Sequence, residues 1–300
     1  MSRSPRGYDL ITMPLFPASA VDTKRAASKS ASHTAPAPND AMLRRIDAML
    51  DEVDQTLALV EQHEAEERAL QAPRLSVVIP VYNEVATIRE IVARVQAVPL
   101  EKELIIVDDC SSDGTRDLLL RLLENEPNVR VFYHQYNHGK GAALRTGFMH
   151  CSGEVVIVQD ADLEYDPRDY PRLLEPITTG QANVVYGSRF LGPEIRDPSW
   201  LHRFGNRLLT MSSNLFTGQR LTDMETCYKV FRRSVLQQFD LAQDRFGFEP
   251  EITAKLSRRK EKIVEVPIAY HGRDYHAGKK IGLKDAVNTL WCIVRYAWAD

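Results

Sequence analysis

The sequence of 300 residues has little cysteine, no long apolar run and no strong excess of charge of one sign. Its four cysteines are widely spaced and form no CxxC pair, so we expect reduced thiols and neither a disulfide framework nor a zinc site. No stretch reaches the roughly 18 uncharged apolar residues that a bilayer-spanning helix needs. Pro14 and Pro17 close behind a short apolar patch make a poor signal peptide. These absences predict a cytoplasmic protein whose membrane contacts are peripheral.

The charges are nearly balanced along the whole chain but not locally. With 38 basic and 41 acidic residues the formal net charge is −3, which argues against a nucleic-acid binder. The segment 255–296 is basic, which suggests phosphates or an anionic membrane surface as partners. A solvated charged face explains its first part equally well. The basic residues are Lys255, Arg258, Arg259, Lys260, Lys262, Arg273, Lys279, Lys280, Lys284 and Arg295.

Composition divides the chain into three parts. Residues 1–40 are rich in Ser, Ala, Pro and Thr without periodicity, and we expect a disordered tail. Residues 41–72 carry apolar residues at alternating spacings of three and four, which predicts a helix. This helix would either pair two chains as a homodimer through residues 43–60 or dock on its own globular domain, which spans 73–300. The seam consists of Leu43, Ile46, Leu50, Val53, Leu57 and Val60.

From Leu75 onward, apolar runs alternate with amphipathic stretches, which is typical of an α/β fold with a mixed sheet flanked by helices. The predicted strands are Leu75–Ile79, Leu104–Val107, Val129–Tyr133, Val155–Val158, Val184–Tyr186 and Ile263–Val266. The predicted helices cover residues 86–97, 115–125, 140–150, 168–178, 200–216 and 283–298. After residue 190 the alternation loosens, and the pattern predicts fewer elements there.

Two carboxylates follow the fourth predicted strand as Asp160-Ala161-Asp162. Side chains two residues apart in an extended segment point the same way, and Glu164 continues this parity if the extended path persists. Such a group is suited to Mg²⁺ or Mn²⁺, which prefer oxygen ligands and leave room for substrate phosphates. A polar turn after a buried strand is the alternative interpretation.

Polar side chains also follow the first two strands. Tyr82 and Glu84 come after the first, and Asp109 comes after the second. Ligands of open α/β sheets bind beyond the carboxyl ends of the strands, where an acid can accept from a base N–H or a ribose hydroxyl. Neither a GxGxxG segment nor a phosphate-binding GxxxxGK loop follows the first strand, which argues against a dinucleotide-binding or P-loop site.

Four ordered motifs carry a family resemblance, which is strong over roughly residues 74–235. The chain resembles the family 2 inverting glycosyltransferases, which have the GT-A fold. Within them it is most similar to the polyprenyl-phosphate hexosyltransferases related to dolichyl-phosphate mannose synthase, on the strength of residues 187–190 and 273–282. The four motifs are Pro80-Val-Tyr-Asn-Glu84, Val107-Asp-Asp-Cys-Ser-Ser-Asp-Gly-Thr115, Asn137-His-Gly-Lys-Gly-Ala-Ala143 and Asp160-Ala-Asp-Leu-Glu164.

The resemblance implies a set of site residues. A nucleoside site would be formed by Pro80, Tyr82, Glu84, Val107 and Asp109. The metal ligands would be Asp160, Asp162 and Glu164, with the backbone of Ala161 near the sugar nucleotide. The phosphates of donor or acceptor would be held by Arg189, Arg273 and Lys280. The synthases usually have Gln at the position of Glu164 and a small Ser-Gly segment in place of residues 222–229, so the resemblance leaves the sugar and the acceptor open.

Two acceptor chemistries fit the sequence. A sugar hydroxyl needs a general base as it attacks, for which Asp223 or Glu225 is available. A lipid phosphate is already ionised and needs only cations to hold it, and the predicted amphipathic helices at 200–216 and 283–298 favour this acceptor if they lie on a membrane. Packing of both helices against the sheet is the alternative. The cations available are Arg189, Arg203, Arg207, Arg273 and Lys280.

The sequence therefore predicts a metal-dependent, inverting hexosyltransferase that uses a nucleotide sugar, GDP-mannose or UDP-glucose, and a polyprenyl phosphate. We expect Asp162, Arg189, and Asp223 or Glu225 to be the catalytic residues. A nucleotidyltransferase shares the metal, the nucleotide and the sheet, but it normally needs a glycine-rich basic loop after the first strand. A non-catalytic scaffold acting through the heptad helix is a further alternative.

Overall fold

The computed structural model describes residues 42, 45–46, 48–57, 59–60, 74–123, 126–191, 195–196, 200–272 and 283–298. The chain forms two compact units, Met1–Val60 and Glu61–Asp300. In the first unit residues 48–57 are helical, and the seam residues from Ile46 to Val60 are between 43% and 57% exposed. Leu43 and the tail at 1–40 lie outside the described residues. The part boundaries and the dimer through residues 43–60 stay predictions.

The second unit is built on a seven-stranded sheet in the order β3-β2-β1-β4-β7-β5-β8. Among its strands as described, β7 alone runs antiparallel, between β4 and β5. A separate parallel pair joins β6 and β9. The strands are β1 (Leu75–Val81), β2 (Lys102–Asp108), β3 (Val129–Tyr133), β4 (Val155–Val158), β5 (Val184–Ser188), β6 (Ile195–Arg196), β7 (Lys229–Arg232), β8 (Ile263–Pro267) and β9 (Tyr270–His271).

Helices connect the strands and cover the sheet. A turn of 3-10 helix at Pro167–Asp169 precedes α4. The helices are α1 (Ile88–Gln96), α2 (Thr115–Leu123), α3 (Lys140–Met149), α4 (Tyr170–Thr178), α5 (Trp200–Thr217), α6 (Arg233–Leu236), α7 (Phe248–Arg258) and α8 (Leu283–Trp298).

The core lies on both faces of the sheet, as expected for parallel strands covered by helices. All four residues of β4 and nearly all of β1 are buried. Helix α3 packs closely on β1, because a Cβ at Gly147 would lie only 2.3 Å from Val78. Such close approach of a helix to a strand needs a residue without a side chain at the contact.

The predicted α/β class and mixed sheet are confirmed, and each of the six predicted strands is present. The helices near 86–97, 115–125, 140–150, 168–178, 200–216 and 283–298 are also present, with small changes at their ends. The sequence prediction missed β6, β7, β9, α6 and α7. Among the described residues, no helix combines the length and the apolar character that crossing a membrane requires.

One edge of the sheet collects the loops that carry the predicted site. The carboxyl ends of the parallel strands β1, β2, β4, β5 and β8 meet there, and the antiparallel β7 begins at the same edge. The motifs that follow β1, β2, β4 and β5 are thereby brought together, although they lie up to about a hundred residues apart in the chain.

Candidate active site

Asp160 forms an ion pair with Lys140 directly beyond the end of β4. The Lys140 Nζ atom lies 2.9 Å from Asp160 Oδ1 and 3.4 Å from Glu249 Oε1. Burial disfavours a charged lysine, but the Asp160 and Glu249 carboxylates outweigh it and raise the pKa of Lys140 well above its ordinary value. Lys140 is therefore an ammonium ion that two carboxylates share.

Two glycines beside Lys140 allow the chain that carries Glu249 to come close. A Cβ at Gly139 would lie 2.6 Å from the backbone oxygen of Asp244, and one at Gly141 would lie 2.2 Å from that of Gln243. Gly139 also has a φ of 103°, in the region that only glycine adopts readily. The glycine pair thus permits the 243–245 loop to pack on the start of α3, and Glu249 follows that loop in the first turn of α7.

Asp162 and Glu164, the other two predicted metal ligands, form hydrogen bonds within the protein. An Asp162 carboxylate oxygen accepts from the Glu164 backbone N–H at 3.1 Å, and Glu164 Oε2 accepts from the Tyr270 hydroxyl at 2.8 Å. In the part of the chain that the structure describes, no three His, Cys, Asp or Glu side chains are gathered to hold a metal ion. The predicted metal ligands Asp160, Asp162 and Glu164 therefore stay predictions.

Carboxylate oxygens are nevertheless the type of ligand that a hard divalent cation prefers. Mg²⁺ is usually bound by one or two carboxylates, waters and substrate phosphates rather than by a cage of protein ligands. Asp160 and Asp162 are half-buried at the end of β4 and could supply two such carboxylates. A cation there would depend on the phosphates of a bound nucleotide for its remaining ligands.

Asp109 is almost completely buried, and its carboxylate is bound by the protein itself. It accepts from His134 Nδ1 at 2.7 Å, from the His138 N–H at 2.9 Å and from the Gly139 N–H at 2.6 Å. These bonds fix the loop before α3 to the end of β2, and so they position Lys140. The predicted contact of Asp109 with a nucleoside stays a prediction.

The other predicted nucleoside residues lie at the ends of β1 and β2. Tyr82 is 37% exposed, and Glu84 accepts from the Thr87 hydroxyl at 2.8 Å. Pro80 pairs with Val107 in the parallel register, and the Val107 side chain is fully buried in the core. Any contact between Val107 and a nucleoside would therefore be made by its backbone.

Three strand ends at this edge have residues in the left-handed conformation. Asn83 after β1, Cys110 after β2 and Leu163 after β4 have φ values of 54°, 64° and 63°. This conformation costs about 1–2 kcal/mol for a residue such as Leu, and asparagine tolerates it best. Backbone strain of this kind concentrates at functional sites, where surrounding structure holds it in place.

Arg189 and Asp223 form a buried bidentate ion pair beyond β5. Arg189 Nε and Nη2 each lie 2.7 Å from an Asp223 oxygen, and the Arg189 N–H donates to the same carboxylate at 3.1 Å. Asp223 is fully buried, and Arg189 is about 10% exposed. A guanidinium has five N–H donors, so this pair leaves Arg189 with others for a phosphate. Asp223 orients Arg189, and both carboxylate oxygens are engaged.

Cys227 lies beside Asp160, just beyond the paired residues of β4 and β7. In the antiparallel register Val155 pairs with Arg232 and Ile157 with Val230. Continuing that register sets Cys227 beside Asp160. Burial, followed by the charge of Asp160, raises the pKa of the Cys227 thiol well above its ordinary value, so this cysteine is a neutral packing residue.

Glu225 and Glu249 form an acidic pair beside Lys229. Burial raises the pKa of Glu225 to about 8, and the Glu249 carboxylate adds to that shift against the opposing charges of Lys229 and Arg189. Lys229 donates to the carbonyl oxygens of Met224 and Thr226 at 2.8 Å and 2.5 Å. Glu225 is thus largely protonated near neutral pH.

Four buried side-chain atoms have no hydrogen-bond partner among the described residues, and three of them belong to this region. The four unpartnered atoms are Tyr133 Oη, Glu225 Oε1, Thr226 Oγ1 and Glu249 Oε2. Sequence reasoning proposed Glu225 but missed Lys229 and Glu249, whose only local signal is a charge within an otherwise apolar segment.

Arg203 and Arg207 lie exposed on α5. The predicted phosphate ligands Arg273 and Lys280 lie outside the described residues.

Comparison with known proteins identifies related chains. The model of the family "Glycosyl transferase family 2" matches residues 76–239. The chain is 32% identical over 226 residues to an undecaprenyl-phosphate 4-deoxy-4-formamido-L-arabinose transferase of Edwardsiella ictaluri, covering 73% of this chain and 66% of that protein. It is 29% identical over 221 residues to an undecaprenyl-phosphate mannosyltransferase of Micrococcus luteus, covering 70% of this chain and 88% of that protein.

Solved structures share the fold at lower identity. Glucosyl-3-phosphoglycerate synthase from Mycobacterium tuberculosis in complex with UDP superposes with a TM-score of 0.61 at 20% identity, covering 78% of this chain and 83% of that one. Mannosyl-3-phosphoglycerate synthase from Rubrobacter xylanophilus gives 0.59 at 19% identity, covering 75% and 72%. The likeness extends over most of both chains, and the fold is that of the GT-A glycosyltransferases.

Proposed function

This chain belongs to glycosyl transferase family 2, and we propose that it transfers a hexose from a nucleotide sugar to a polyprenyl phosphate with inversion at the anomeric carbon. An acceptor phosphate oxygen attacks the anomeric carbon with its lone pair. The bond between that carbon and the β-phosphate oxygen breaks, and its electron pair leaves with the nucleoside diphosphate. The residues at the carboxyl edge of the sheet would stabilise the charge that grows on this leaving group.

The observation that carries this proposal is the arrangement of charges beyond β4 and β5. Lys140 is fixed between Asp160 and Glu249, and Arg189 is fixed by Asp223, so both cations are oriented before any ligand binds. Preorganised cations in a partly buried site stabilise developing negative charge far better than mobile cations in water. The strand-end position of both groups matches the place where α/β sheets bind nucleotides.

A divalent cation is part of the proposal. Asp160, Asp162 and Glu164 would hold Mg²⁺ or Mn²⁺ together with the diphosphate. When bound, such a cation neutralises charge on the phosphates and acts as a Lewis acid. Solved structures of glucosyl-3-phosphoglycerate synthase have been crystallised with UDP and Mn²⁺ or Mg²⁺, which is consistent with this proposal.

Helix α5 supports an acceptor that is held in a membrane. Its exposed face carries Phe204, Leu208, Met211 and Leu215, which are 55% to 80% exposed, whereas Thr210 and Ser213 face the interior at 2% and 1%. This distribution reverses the usual one, in which apolar residues are buried and polar ones face water. An exposed apolar stripe of this kind suits the boundary between lipid headgroups and acyl chains.

Helix α8 contacts α5 and has an exposed apolar stripe as well. Trp298 is 79% exposed, and Arg295 lies over the Trp291 ring at 4.9 Å. Tryptophan favours the membrane interface, where its ring is apolar and its N–H can be hydrated. The stripe comprises Val287, Leu290, Trp291, Val294 and Trp298.

The relatives support a lipid-phosphate acceptor but leave the sugar open. Both relatives described above carry undecaprenyl phosphate in their names, while one name specifies mannose and the other a substituted arabinose. The chain spans about two thirds of the length of the Edwardsiella ictaluri protein. Similarity to these relatives therefore does not identify the sugar that this chain would use. A peripheral position on the cytoplasmic membrane face is part of the same proposal, and the assay below tests the nucleotidyltransferase alternative.

The test is transfer of labelled hexose from UDP-glucose and from GDP-mannose into polyprenyl phosphate, with Mg²⁺ or Mn²⁺ present. We expect metal-dependent label in the organic phase, lost in Asp162→Ala and kept in the matched control Asp240→Ala, whose side chain is exposed. Metal-dependent release of nucleotide without organic label would overturn the lipid acceptor. Release of pyrophosphate from a sugar phosphate and a nucleoside triphosphate would favour the nucleotidyltransferase.

A second candidate function has an observation in its favour. Glu225 has an unpartnered carboxylate oxygen and a pKa raised to about 8, which are properties of a general base for a hydroxyl acceptor. Asp223 is less suited to that role, because Arg189 occupies both of its oxygens. If Glu225 is the base, Glu225→Gln lowers kcat by at least about a hundredfold and leaves donor affinity unchanged. A phosphate acceptor needs no base, so kcat would then be largely retained.

A further inference from the structure

The helix of the first unit has an apolar stripe that the single chain leaves exposed. Each described member of the stripe is between 43% and 57% exposed. Apolar side chains of this size are usually buried when a helix is part of a folded protein. A continuous exposed face of this kind indicates a partner that covers it. The described members are Ile46, Leu50, Val53, Leu57 and Val60.

The charges beside the stripe argue against an anionic membrane as that partner. Between residues 42 and 60 the sequence has four acidic residues and two basic ones. Helices that lie on a membrane surface carry Lys or Arg beside the apolar face, because anionic headgroups attract these residues and repel carboxylates. Asp51, Glu52 and Asp54 are all exposed on this helix. A protein surface therefore fits the stripe better than a lipid surface does.

The spacing of the stripe fits further copies of the same helix. From Leu43 to Val60 its members alternate spacings of three and four residues, which is the pattern of the a and d positions of a coiled coil. Side chains at a and d pack into the spaces between the same positions of an identical helix, so such a stripe is complementary to itself. The a positions are Leu43, Leu50 and Leu57, and the d positions are Ile46, Val53 and Val60.

The residue types at these positions indicate more than two helices. Two-stranded parallel coiled coils favour β-branched residues at a and Leu at d. Leu at a with Ile at d favours three or four strands instead. This chain has the second pattern, since Leu is at every a position of the stripe and a β-branched residue is at every d position.

The apolar face is also wider than a two-stranded seam requires. Met49 is at position g, beside the seam, and is 62% exposed. An open groove of about 340 Å³ lies on this side of the helix. The Thr56 hydroxyl donates to the Glu52 carbonyl oxygen at 2.7 Å, so it keeps its partner when the face is covered. Apolar residues at g as well as at a and d are typical of helices in a bundle. The groove is lined by Met49, Glu52, Val53, Thr56 and Leu57.

We propose that residues 43–60 of four chains form a parallel four-stranded coiled coil. The e positions, Asp47, Asp54 and Glu61, are all acidic. An antiparallel arrangement sets these acids against one another, whereas a parallel one sets them beside the uncharged g positions. The partner is thus a further copy of this chain. The inference goes beyond the proposed function and does not depend on it, because it uses no residue of the catalytic unit.

Sedimentation equilibrium of the full chain counts the copies. We expect a limiting mass of four times the chain mass of 34.0 kDa, with dissociation on dilution because a short helix gains its stability from packing. The double variant Leu50→Asp with Leu57→Asp should sediment as a single chain and keep the thermal unfolding of the catalytic unit. Gln55→Ser is the matched control, because Gln55 is exposed at position f, opposite the seam, and this variant should keep the mass of four chains.

Exchanging the residue types between a and d tests the number of strands. The exchanged variant has the pattern that favours two strands, so we expect its limiting mass to fall to twice that of the chain. An exchanged variant that keeps four chains would show that the seam does not set their number, and would overturn the inference. The substitutions are Leu43→Ile, Ile46→Leu, Leu50→Ile, Val53→Leu, Leu57→Ile and Val60→Leu.

The wild type itself can also contradict the inference. A mass of one, two or three chains up to the solubility limit would overturn it, as would an assembly of four that persists in Leu50→Asp with Leu57→Asp. A monomeric wild type whose unfolding temperature falls in this double variant would show that the helix docks on its own globular domain.

Discussion

Buried carboxylates lie at both edges of the central sheet, and they differ in how completely they are hydrogen-bonded. At the amino edge, Glu103 accepts from Ser76, Ser152, Gly153 and Arg130 at distances of 2.6 to 3.2 Å. Burial alone would raise the pKa of Glu103, but these hydrogen bonds and the charge of Arg130 outweigh it and lower the pKa to about 2.

At the carboxyl edge, Glu225 and Glu249 each have an oxygen that nothing in the described part of the chain satisfies. Burial raises the pKa of Glu225 to about 8. The same kind of side chain is therefore held as a stable anion at one edge and as an acid near neutrality at the other. Asp109 and Asp223 are fully hydrogen-bonded at the carboxyl edge as well, so the difference is confined to Glu225 and Glu249.

The largest expected effect concerns Asp223, which lies at the carboxyl edge but is fully paired. Asp223→Ala should lower the free energy of unfolding by about 3–5 kcal/mol, because it leaves the buried Arg189 charge without a partner. Urea denaturation at pH 7 measures this loss. The double variant Asp223→Leu with Arg189→Met should recover most of it. A loss below about 1 kcal/mol in Asp223→Ala would mean that the pairing of Arg189 with Asp223 contributes little to the free energy of unfolding.

The next largest effect is expected at the amino edge. Glu103→Gln should lower the free energy of unfolding at pH 7 by about 3 kcal/mol, the value that corresponds to the lowered pKa. Because the folded pKa lies below the ordinary value of 4.5, this stability is present above pH 4.5 and is lost as the pH falls towards about 2. Nucleotide-sugar affinity of the folded variant should equal that of the wild type. A selective loss of that affinity would mean that Glu103 also serves ligand binding.

A pH profile sharpens the comparison with an effect of opposite sign, which is measured as a slope per pH unit. The folded pKa of Glu225, about 8, lies above its ordinary value of 4.5, so the folded state holds the proton more tightly. Its contribution to stability is complete below pH 4.5 and is lost as the pH rises towards 8, at about 1.4 kcal/mol per pH unit for one proton. Glu225→Gln should remove this slope from urea-unfolding data collected between pH 5 and 8. An unchanged slope would assign it to another group.

The sheet and the Asp160–Asp162 motif followed from local patterns. Strands buried on both faces are continuous apolar runs. The period of two that predicted a common side for Asp160, Asp162 and Glu164 does not apply there, because β4 ends at Val158, residues 161–162 form a turn and Leu163 is left-handed. The rule that ligands bind at carboxyl ends of strands then predicted the edge of the sheet at which the site lies, and its residues stay predictions. These inferences need only neighbours in the sequence and one general property of parallel sheets, which explains why the predicted α/β class and strands were confirmed.

The missed elements lack such local patterns. Helix α7 is buried at every position from Phe248 to Leu256, so its sequence has no polar face and carries charged residues in the interior. Strand β7 has four residues and begins with the fully buried Lys229. Both depend on contacts across the chain, as does the sharing of Lys140 between Asp160 and Glu249. Propensity and periodicity describe neighbours in sequence and cannot predict such pairings.

The smallest expected effect compares two hydroxyls within one segment at the carboxyl edge. Tyr228 donates its hydroxyl to Gln159 Oε1 at 2.8 Å, whereas the Thr226 hydroxyl is buried without a partner in the described residues. Tyr228→Phe should therefore lower the free energy of unfolding by about 1 kcal/mol, because a net hydrogen bond is lost.

Thr226→Val should leave stability unchanged or raise it by up to about 1 kcal/mol, because it removes an unsatisfied buried oxygen at nearly constant volume. Thermal unfolding of the two variants side by side measures the difference, which corresponds to a few degrees for a domain of this size. A loss of stability in Tyr228→Phe together with a gain in Thr226→Val would show that single hydroxyl groups also differ in how completely they are hydrogen-bonded. If Thr226→Val instead destabilises the protein as much as Tyr228→Phe does, the Thr226 hydroxyl has a partner in solution, and the count of unsatisfied oxygens at this edge falls by one.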